Sequence, residues 1–230
     1  MKCLAIIPAR SGSKGLPNKN IKDLCGKPLM VYTLEAAVES GVFDTVMVST
    51  DSQEYANIAL QIPGVEVPFL RSVENSQDNS STWDAVREVL QNYKDNGIEY
   101  DMFCVLQITS PMRNAKHIQE AFQLYKAKEA NSIVSVCEMD HPLNICNYLP
   151  EDHSLVGFIR NGGEVCARQL MRKSYRINGA IYMCKTQAFL QIGSIYREKC
   201  YAHIMDTKDS VDIDTIDDFN LAEFLFKEKK

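Results

Sequence analysis

The sequence LAIIPARSGSKG at residues 4–15 decides the fold. Its first four residues form an unbroken apolar run that ends at Pro8, which is typical of a strand buried on both faces of a parallel sheet. The loop after such a strand lies at the carboxyl edge of the sheet, where α/β proteins bind ligands. The stretch therefore predicts a parallel α/β sheet with a ligand-binding loop directly after its first strand.

Alternating strands and helices continue through most of the 230 residues, a length that can bury a sizeable core. This alternation favours an α/β fold with a doubly wound, mostly parallel sheet, which we expect to form a single domain over 1–230. The predicted strands are 4–7, 45–49, 65–70, 102–106, 132–137, 180–184 and 201–205. The predicted helices are 28–40, 51–61 (with Asp51 and Glu54 as a capping box), 83–94, 115–130 and 216–226.

Residues 140–176 interrupt this alternation, because they contain two prolines, three glycines and no clear helical period. We expect short antiparallel strands in this segment, one of them at 155–159, and not a separate domain. Its apolar residues Leu155, Val156, Phe158 and Ile159 have no obvious local core. We therefore expect the 140–176 segment to be buried against a second subunit in a two-fold homodimer.

Charge and cysteine content exclude several classes of protein. Lys and Arg number 25 against 30 Asp and Glu, and the net charge of −5 argues against a general nucleic-acid or membrane-surface binder. The 8 cysteines contain no C-x-x-C pair and fit a reducing compartment, while the 4 histidines lack the spacing of a zinc site. The apolar run before Pro8 is too short for a signal peptide, so a cytoplasmic location is expected.

The loop at 9–22 has the composition of an anion-binding site. It contains four cations and no acidic residue. Its glycines let backbone amides approach a phosphate closely, and its serines add hydroxyl donors. The loop matches neither the P-loop nor the dinucleotide fingerprint, so neither chemistry is indicated. A solvated basic surface loop is the alternative interpretation.

An acidic segment near the other end of the chain is the candidate metal site. In SVDIDT at 210–215, alternation puts Asp212 and Asp214 on one face of an extended segment. Two carboxylates on one face repel each other unless a cation joins them, and oxygen ligands suit Mg²⁺ that is held together with substrate phosphates. Asp217 and Asp218 fit the first turn of the last helix, with Thr215 and Asp218 as a capping box. A solvated acidic turn is the alternative for the Asp212 and Asp214 pair.

Polar residues also follow other predicted strands. Arg71 and the segments 107–113 and 168–182 are candidate walls of a ligand site, although each alone is more typical of an ordinary turn. Ser81 and Thr82 are predicted first as N-terminal caps of the helix that begins near residue 83.

The string IPARSGSKGLPNKN at 7–20 resembles the signature of the acylneuraminate cytidylyltransferases. LQITSPMR at 106–113, ARQ at 167–169 with RINGAIY at 176–182, and SVDIDT at 210–215 resemble further motifs of that family in the same order. The resemblance covers nearly the whole chain. It implies the nucleotide-diphospho-sugar transferase fold, CTP and a nonulosonic acid as substrates, Mg²⁺ dependence and a homodimer.

The resemblance also implies roles for individual residues. The triphosphate would be held by the loop residues Arg10, Ser11, Gly12, Ser13, Lys14 and Lys19, with Arg10 and Lys14 also catalytic. The cytidine would be contacted by Asn20, Arg71 and Ser81 or Thr82. The sugar site would be lined by Gln107, Arg168, Asn178 and Tyr182. Asp212 and Asp214 would hold Mg²⁺ and take part in catalysis.

Alternative functions remain open at this point. Asn144 and the pair Ile195 and Tyr196 depart from the family pattern, so legionaminic, pseudaminic or another nine-carbon 2-keto acid is an alternative to N-acetylneuraminic acid. The related 3-deoxy-manno-octulosonate cytidylyltransferases have a loop that differs from SKGLPNKN at the charged positions. A nucleotide-binding sensor without catalytic activity is the alternative of another class, since fold does not imply function.

Overall fold

The computed structural model describes residues 1–12, 15–159 and 172–228. In these ranges a seven-stranded sheet and a small two-stranded hairpin are surrounded by six α-helices. The strands are β1 (Cys3–Pro8), β2 (Asp23–Leu24), β3 (Lys27–Pro28), β4 (Thr45–Ser49), β5 (Val65–Glu66), β6 (Met102–Val105), β7 (Ser132–Glu138), β8 (Tyr175–Lys185) and β9 (Cys200–Met205). The helices are α1 (Leu29–Glu39), α2 (Gln53–Ala59), α3 (Thr82–Asp95), α4 (Ala115–Ala127), α5 (Thr186–Ile192) and α6 (Ile216–Glu228).

The order of strands across the large sheet is β5-β4-β1-β6-β8-β7-β9. The chain passes from β1 outward to β4 and β5, and then returns to β6 on the other side of β1. The loops that leave β1 and β6 consequently run in opposite directions and open a crevice at the carboxyl edge of the sheet. The mostly parallel, doubly wound arrangement is confirmed, with β8 antiparallel to both of its neighbours.

Both faces of the sheet are covered, which explains why β1 is apolar without alternation. Ala5 and Ile7 point to the side covered by α1, α4 and α6, whereas Leu4 and Ile6 point to the side covered by α3 and α5. All four of these residues are fully buried. The two layers of core hold β1 rigidly, and so fix the start of the basic loop.

Strand β8 carries a bulge at Asn178 and Gly179. Its pairing register with β7 shifts between Val134 and Val136, opposite this point. Gly179 has a φ of +78°, and a Cβ there would lie 2.5 Å from the side-chain oxygen Oε1 of Gln107. Glycine is therefore favoured by the left-handed backbone, and it also lets the end of the Gln107 side chain lie against β8.

Several predicted elements are corrected. The strand predicted at 65–70 ends at Glu66, two residues before Pro68, which cannot donate to a neighbouring strand. No strand forms at 155–159, where Gly157 adopts a φ of +73°. Ser52, and not Asp51, caps α2 by accepting a hydrogen bond from the backbone amide of Tyr55. Helix α5 was not predicted, and β8 begins at Tyr175, inside the 140–176 segment.

Across the described parts of the chain, none of the helices has both the length and the apolar character needed to cross a bilayer.

Candidate active site

A cleft of about 680 Å³ opens at the carboxyl edge of the sheet, between the loops that follow β1 and β6. The loop before α3 and the segment between β9 and α6 complete its walls. The structure brings together many of the residues predicted from sequence, although Arg10 and Asp214 are 204 positions apart. Those that line the cleft are Arg10, Lys19, Asn20, Arg71, Ser81, Thr82, Gln107, Asp212 and Asp214.

Arg10 reaches across the mouth of the cleft to the loop before α3. Its Nη1 donates to the carboxylate of Asp78 at 3.0 Å and to the carbonyl of Gln77 at 3.3 Å. About a third of the Arg10 side chain and half of the Asp78 side chain are exposed to solvent. An exposed ion pair of this kind contributes little net free energy to stability. An anionic ligand can therefore replace Asp78 as the partner of the Arg10 guanidinium at a small cost in free energy.

Ser11 does not have the role expected from the sequence. Its backbone amide and its hydroxyl both donate to the carboxylate of Asp51, at 2.8 Å and 2.7 Å. Ser11 is not among the residues that line the cleft, and neither is Gly12. The expectation of a hydroxyl donor to an anion at Ser11 is therefore corrected: Ser11 anchors the start of the loop to the end of β4.

Asp51 is well suited to this anchoring. Burial alone would raise the pKa of its carboxyl, but the hydrogen bonds from Ser11, together with the nearby Arg71, bring the pKa below its usual value. Arg71 itself is buried and donates from Nε and Nη2 to Ser49, at 3.0 Å to Oγ and 2.6 Å to the carbonyl oxygen. Burial lowers the pKa of Arg71. The carboxylate and the guanidinium together hold the end of β4 against the cleft.

The second half of the basic loop is packed against the acidic segment. The Nζ of Lys19 lies 3.1 Å from a carboxylate oxygen of Asp214 and also donates to the carbonyl of Ile213. A Cβ on Gly15 would lie 2.6 Å from the carbonyl oxygen of Asp214. Asn20 is buried and donates to the carbonyl of Arg10 at 3.1 Å. Gly15 therefore permits a close backbone contact that joins the basic and acidic walls.

The loop before α3 is ordered by a carboxylate on that helix. Glu88 accepts hydrogen bonds from the amide and hydroxyl of Ser72, at 2.7 Å and 3.0 Å, and from the side-chain amide of Asn75. Ser81 caps α3, as predicted, and accepts a hydrogen bond from the amide of Trp83 at 3.1 Å. The residues between these two anchors, which include Asp78, form the wall opposite Arg10.

One carboxylate oxygen of Asp212 is buried without a hydrogen-bond partner. Its Oδ1 is inaccessible to solvent and has no hydrogen-bond partner. Burial raises the pKa of this carboxyl, and so does the nearby carboxylate of Asp214, while hydrogen bonding to Thr109 and the charges of Lys19 and Arg176 act in the opposite direction. A buried acceptor without a donor costs free energy. The unpaired Oδ1 therefore indicates that a ligand supplies its missing partner.

The acidic segment is fixed at several points. The amide of Ile213 donates to the carbonyl of Thr109 at 2.8 Å, which ties the segment to the loop after β6. The predicted capping box of α6 is confirmed, since Asp218 accepts from the amide and hydroxyl of Thr215 and donates its own amide to that hydroxyl. Asp218 also accepts from the amide of Asp214 at 3.1 Å. Asp214 itself remains exposed to solvent.

The polar residues of β8 do not line the cleft. The Asn178 side chain, at 1% relative exposure, hydrogen-bonds within the fold, to Ser135 and Ser210 among others. Tyr182 packs edge-on against Trp83, with ring centroids 5.8 Å apart, and burial raises its pKa to about 12. The expectation that Asn178 lines the sugar site directly is corrected, because its side chain faces the interior.

Arg113, expected at the site edge, lies underneath it. Its side chain is fully buried and donates from Nη2 to the hydroxyl of Thr33 at 2.6 Å and to the carbonyl of Gln107 at 3.4 Å. Burial lowers the pKa of this guanidinium to about 10. Arg113 thus supports the Gln107 loop from below and does not form part of the cleft wall.

Three predicted residues, Ser13, Lys14 and Arg168, lie outside the described residues. Asp51, Gln77, Asp78 and Glu88 were not assigned to the site by the sequence reasoning. Asp51 carried a usable signal, since it follows β4 just as Arg10 follows β1, at the same edge of a parallel sheet. The loop that contains Asp78 has no such signal.

Together these features define a class of protein. A doubly wound α/β sheet with cations and paired carboxylates along its switch-point cleft has the architecture of the nucleotide-diphospho-sugar transferase fold. The solved structure of CMP:2-keto-3-deoxy-manno-octonic acid synthetase complexed with CTP superimposes with a TM-score of 0.72. It covers 100% of both chains at 18% sequence identity, and it therefore supports the fold alone.

The chain belongs to the cytidylyltransferase family, which matches it over residues 4–192. It is 37% identical over 221 residues to an N-acylneuraminate cytidylyltransferase of Streptococcus agalactiae serotype V, covering 95% of this chain and 52% of that protein. The chain thus spans about half the length of such relatives. It is also 32% identical over 227 residues to a pseudaminic acid cytidylyltransferase of Campylobacter jejuni, covering 99% of this chain and 97% of that protein. The family resemblance seen in the sequence is confirmed.

Proposed function

We propose that the protein transfers the cytidylyl group of CTP to the anomeric hydroxyl of a nonulosonic acid, with N-acetylneuraminic acid as the first candidate. The observation that carries this proposal is that Arg10 and Lys19 line one cleft together with Asp212, whose Oδ1 is buried and has no hydrogen-bond partner. Cations suit a triphosphate, and a carboxylate that lacks a donor suits a cation.

The reaction needs no nucleophile from the protein. The anomeric oxygen of the sugar attacks the α-phosphorus of CTP, the bond between that phosphorus and the α–β bridging oxygen breaks, and pyrophosphate leaves with the electron pair. The proton of the attacking hydroxyl passes to water. Catalysis then consists of positioning the two substrates and neutralising charge on the leaving group.

Arg10, Lys14 and Lys19 would bind the triphosphate, and Arg10 and Lys14 would stabilise the pyrophosphate as it leaves. The pairing of Arg10 with the exposed Asp78 supports this role, because the triphosphate can replace that carboxylate without a large penalty. Asn20, Arg71 and Ser81 or Thr82 would contact the cytidine, and Gln107 and Arg168 would form the sugar side. Tyr182 packs against Trp83 outside the lining of this cleft, and it would take part only if the sugar site extends beyond the cleft.

The donor set fits a magnesium ion. The buried Oδ1 of Asp212 has no partner, and Asp214 is two residues away on the same cleft wall. No group of three or more possible metal ligands exists within 1–12, 15–159 and 172–228, so phosphate oxygens of the substrate would be needed to complete the coordination. When bound, Mg²⁺ would neutralise phosphate charge at this wall. Asp212 and Asp214 would hold it, and Lys19 would steady Asp214.

The whole-length match to a pseudaminic acid cytidylyltransferase favours a second candidate substrate. Pseudaminic acid, legionaminic acid and other nine-carbon 2-keto acids would present the same anomeric hydroxyl and carboxylate. A nucleotide-binding sensor would need the cations of the cleft, but it would not need a carboxylate pair opposite them.

We also propose a cytoplasmic homodimer. The seven cysteines of the described ranges are all free, which suits a reducing compartment. Apolar side chains of the 140–176 segment are strongly exposed, among them Tyr148 at 94% and Val156 at 96%. Burial against a second copy would remove this apolar surface from water. Sedimentation at micromolar concentration should give twice the chain mass, and a monomer would refute the dimer.

The function is tested by incubating the protein with CTP, Mg²⁺ and a panel of nonulosonic acids while pyrophosphate is measured. Sugar-dependent pyrophosphate release is expected with at least one member, and the ratio of kcat/KM values identifies the preferred sugar. 3-Deoxy-manno-octulosonate serves as the eight-carbon control and should react poorly. CTP binding without pyrophosphate release from any sugar would favour the sensor.

A further inference from the structure

We propose that Asn178 is a positioning residue that holds Asp212 in place from inside the fold. The proposal rests on the function proposed above, and it replaces the direct sugar contact that the sequence resemblance implied. It concerns the three hydrogen-bonding groups of Asn178, which join β7, the loop after β6 and the acidic segment.

The side-chain amide of Asn178 has no capacity left for a substrate. Its Nδ2 donates to the hydroxyl of Ser210 at 2.8 Å and to the sulfur of Met205 at 3.4 Å. Its Oδ1 accepts from the hydroxyl of Ser135 at 2.6 Å and from the amide of Ala180 at 3.3 Å. Two donors and two acceptor positions are all that an Asn side chain offers. With 1% relative exposure, the residue acts within the fold.

Ser210 transmits this constraint to the carboxylates. Its hydroxyl accepts from Asn178 and donates to the carbonyl of Asp206 at 2.8 Å, while its own carbonyl accepts from Arg176 at 3.2 Å. Asp212 is two residues further along the chain. Because the next backbone amide, that of Ile213, is tied to Thr109, the segment is fixed on both sides of Asp212.

Asn178 also contacts the opposite side of the site. Its carbonyl oxygen accepts a hydrogen bond from the hydroxyl of Ser110, at 3.4 Å, in the loop that begins with Gln107. The bulge at Gly179 brings the Gln107 side chain against this same turn of β8. One buried residue thus sets the spacing between the Gln107 loop and the acidic segment. Such supporting contacts commonly alter metal affinity by about 10- to 100-fold when they are removed.

The chain provides a matched pair of variants. Ser210 and Ser135 are both fully buried, and each hydroxyl contacts the Asn178 amide and also the backbone. Ser210 donates to the carbonyl of Asp206, whereas Ser135 contacts both the amide and the carbonyl of Ile181. Ser210→Ala removes the contact on the acidic-segment side. Ser135→Ala removes the contact on the β7 side, where the Oδ1 of Asn178 keeps its bond from Ala180. A merely structural role predicts the same consequences for both.

The experiment measures thermal unfolding, kcat, and Mn²⁺ binding in the presence of α,β-methylene-CTP by electron paramagnetic resonance. Both variants should lose thermal stability, and Ser135→Ala should lose at least as much as Ser210→Ala, because it also leaves the amide of Ile181 without its acceptor. Ser210→Ala should weaken Mn²⁺ binding by about 10-fold and lower kcat by a similar factor, with CTP KM changed less than about 3-fold. Ser135→Ala should change Mn²⁺ binding by less than about 3-fold.

Equal effects of the two substitutions on Mn²⁺ binding, or normal Mn²⁺ binding by a folded Ser210→Ala protein, would overturn the proposal. If Ser210→Ala does not fold, Asn178→Asp takes its place, since this substitution keeps the side-chain shape and removes both N–H donors. Unaltered Mn²⁺ binding by Asn178→Asp would then overturn the proposal. Failure of the proposed function is a separate outcome, because wild-type protein would then release no pyrophosphate while the Mn²⁺ comparison could still be made.

Discussion

The basic and acidic walls of the cleft are held in different ways. Arg10 on the basic wall makes its contacts at the surface, with Asp78 and Gln77, where solvent competes for both partners. On the acidic wall, Asp212 is fixed by backbone and buried hydrogen bonds on either side. The difference indicates that Arg10 can exchange its partner readily, whereas Asp212 is held in place before any ligand binds. Under the proposed function, a triphosphate would replace Asp78 at Arg10, and Asp212 would receive a cation.

Loss of Arg10 should have the largest effect. Charge on the pyrophosphate grows as the α–β bond breaks, so a guanidinium that can leave Asp78 should matter more in the transition state than in the bound ground state. Arg10→Ala should lower kcat by about 10²- to 10³-fold with a smaller change in the KM for CTP. Arg10→Lys should recover only part of the loss, because it lacks the planar fork. A raised KM with unchanged kcat would make Arg10 a ground-state binder.

Substitutions of the two carboxylates on the acidic wall should reduce turnover nearly as much. Asp212→Asn and Asp214→Asn should each lower turnover by about 10²-fold, because each removes one of the two carboxylates that would hold Mg²⁺. Asp217→Asn is the matched control, since Asp217 is an exposed neighbour in the first turn of α6 that does not line the cleft. It should stay within about 2-fold of wild type in steady-state assays. Full activity in both Asp212 and Asp214 variants would remove the proposed metal site.

The contact between the two walls can be tested with glycines. A methyl group on Gly15 would lie 2.6 Å from the backbone oxygen of Asp214, so one wall must move. A methyl group on Gly12 meets nothing within 4 Å. Gly15→Ala should therefore lower kcat/KM by about 10-fold, and Gly12→Ala by less than about 3-fold, because small displacements of reacting groups are costly. Similar values for the two variants would mean that the wall-to-wall contact is unimportant.

Loss of the Asp51 carboxylate, which anchors Ser11 at the start of the basic loop, should have a smaller and pH-dependent effect on stability. The pKa of Asp51 is lowered in the folded protein. The carboxylate therefore stabilises the folded state fully above the pKa of an unfolded Asp, about 3.9, and this stabilisation is lost as pH falls through the pKa of the folded state. Asp51→Asn should lower the free energy of unfolding by about 1 kcal/mol at pH 7. Urea titrations should show this difference shrinking below about pH 4. A pH-independent difference would indicate that Asp51 acts through packing alone.

Local patterns in the sequence predicted the parts of the fold that depend on neighbours in the chain. The apolar run at 4–7 predicted β1, Thr215 and Asp218 predicted their capping box, and the alternation at 211–214 placed Asp212 and Asp214 in one cleft. Pro68 could have shortened the strand predicted at 65–70, because proline cannot donate to a ladder.

Partners that are distant in the sequence could not be predicted. Ser11 binds Asp51 across 40 residues, and Asn178 binds Ser210 across 32, with no periodicity that relates them. The sugar contact expected of Asn178 came from the family resemblance, and neither a motif nor a residue type reveals burial. The bulge that turns it inward depends on the pairing of β8 with β7, which is a tertiary feature.

The central claim is that this cleft joins CTP to a nonulosonic acid by attack at the α-phosphorus. The most direct test is ³¹P NMR of the protein with CTP, Mg²⁺ and N-acetylneuraminic or pseudaminic acid. One new phosphodiester signal, from the CMP-sugar, is expected together with an equal amount of pyrophosphate. CDP with inorganic phosphate, or CMP with pyrophosphate and no phosphodiester signal at any time, would contradict it.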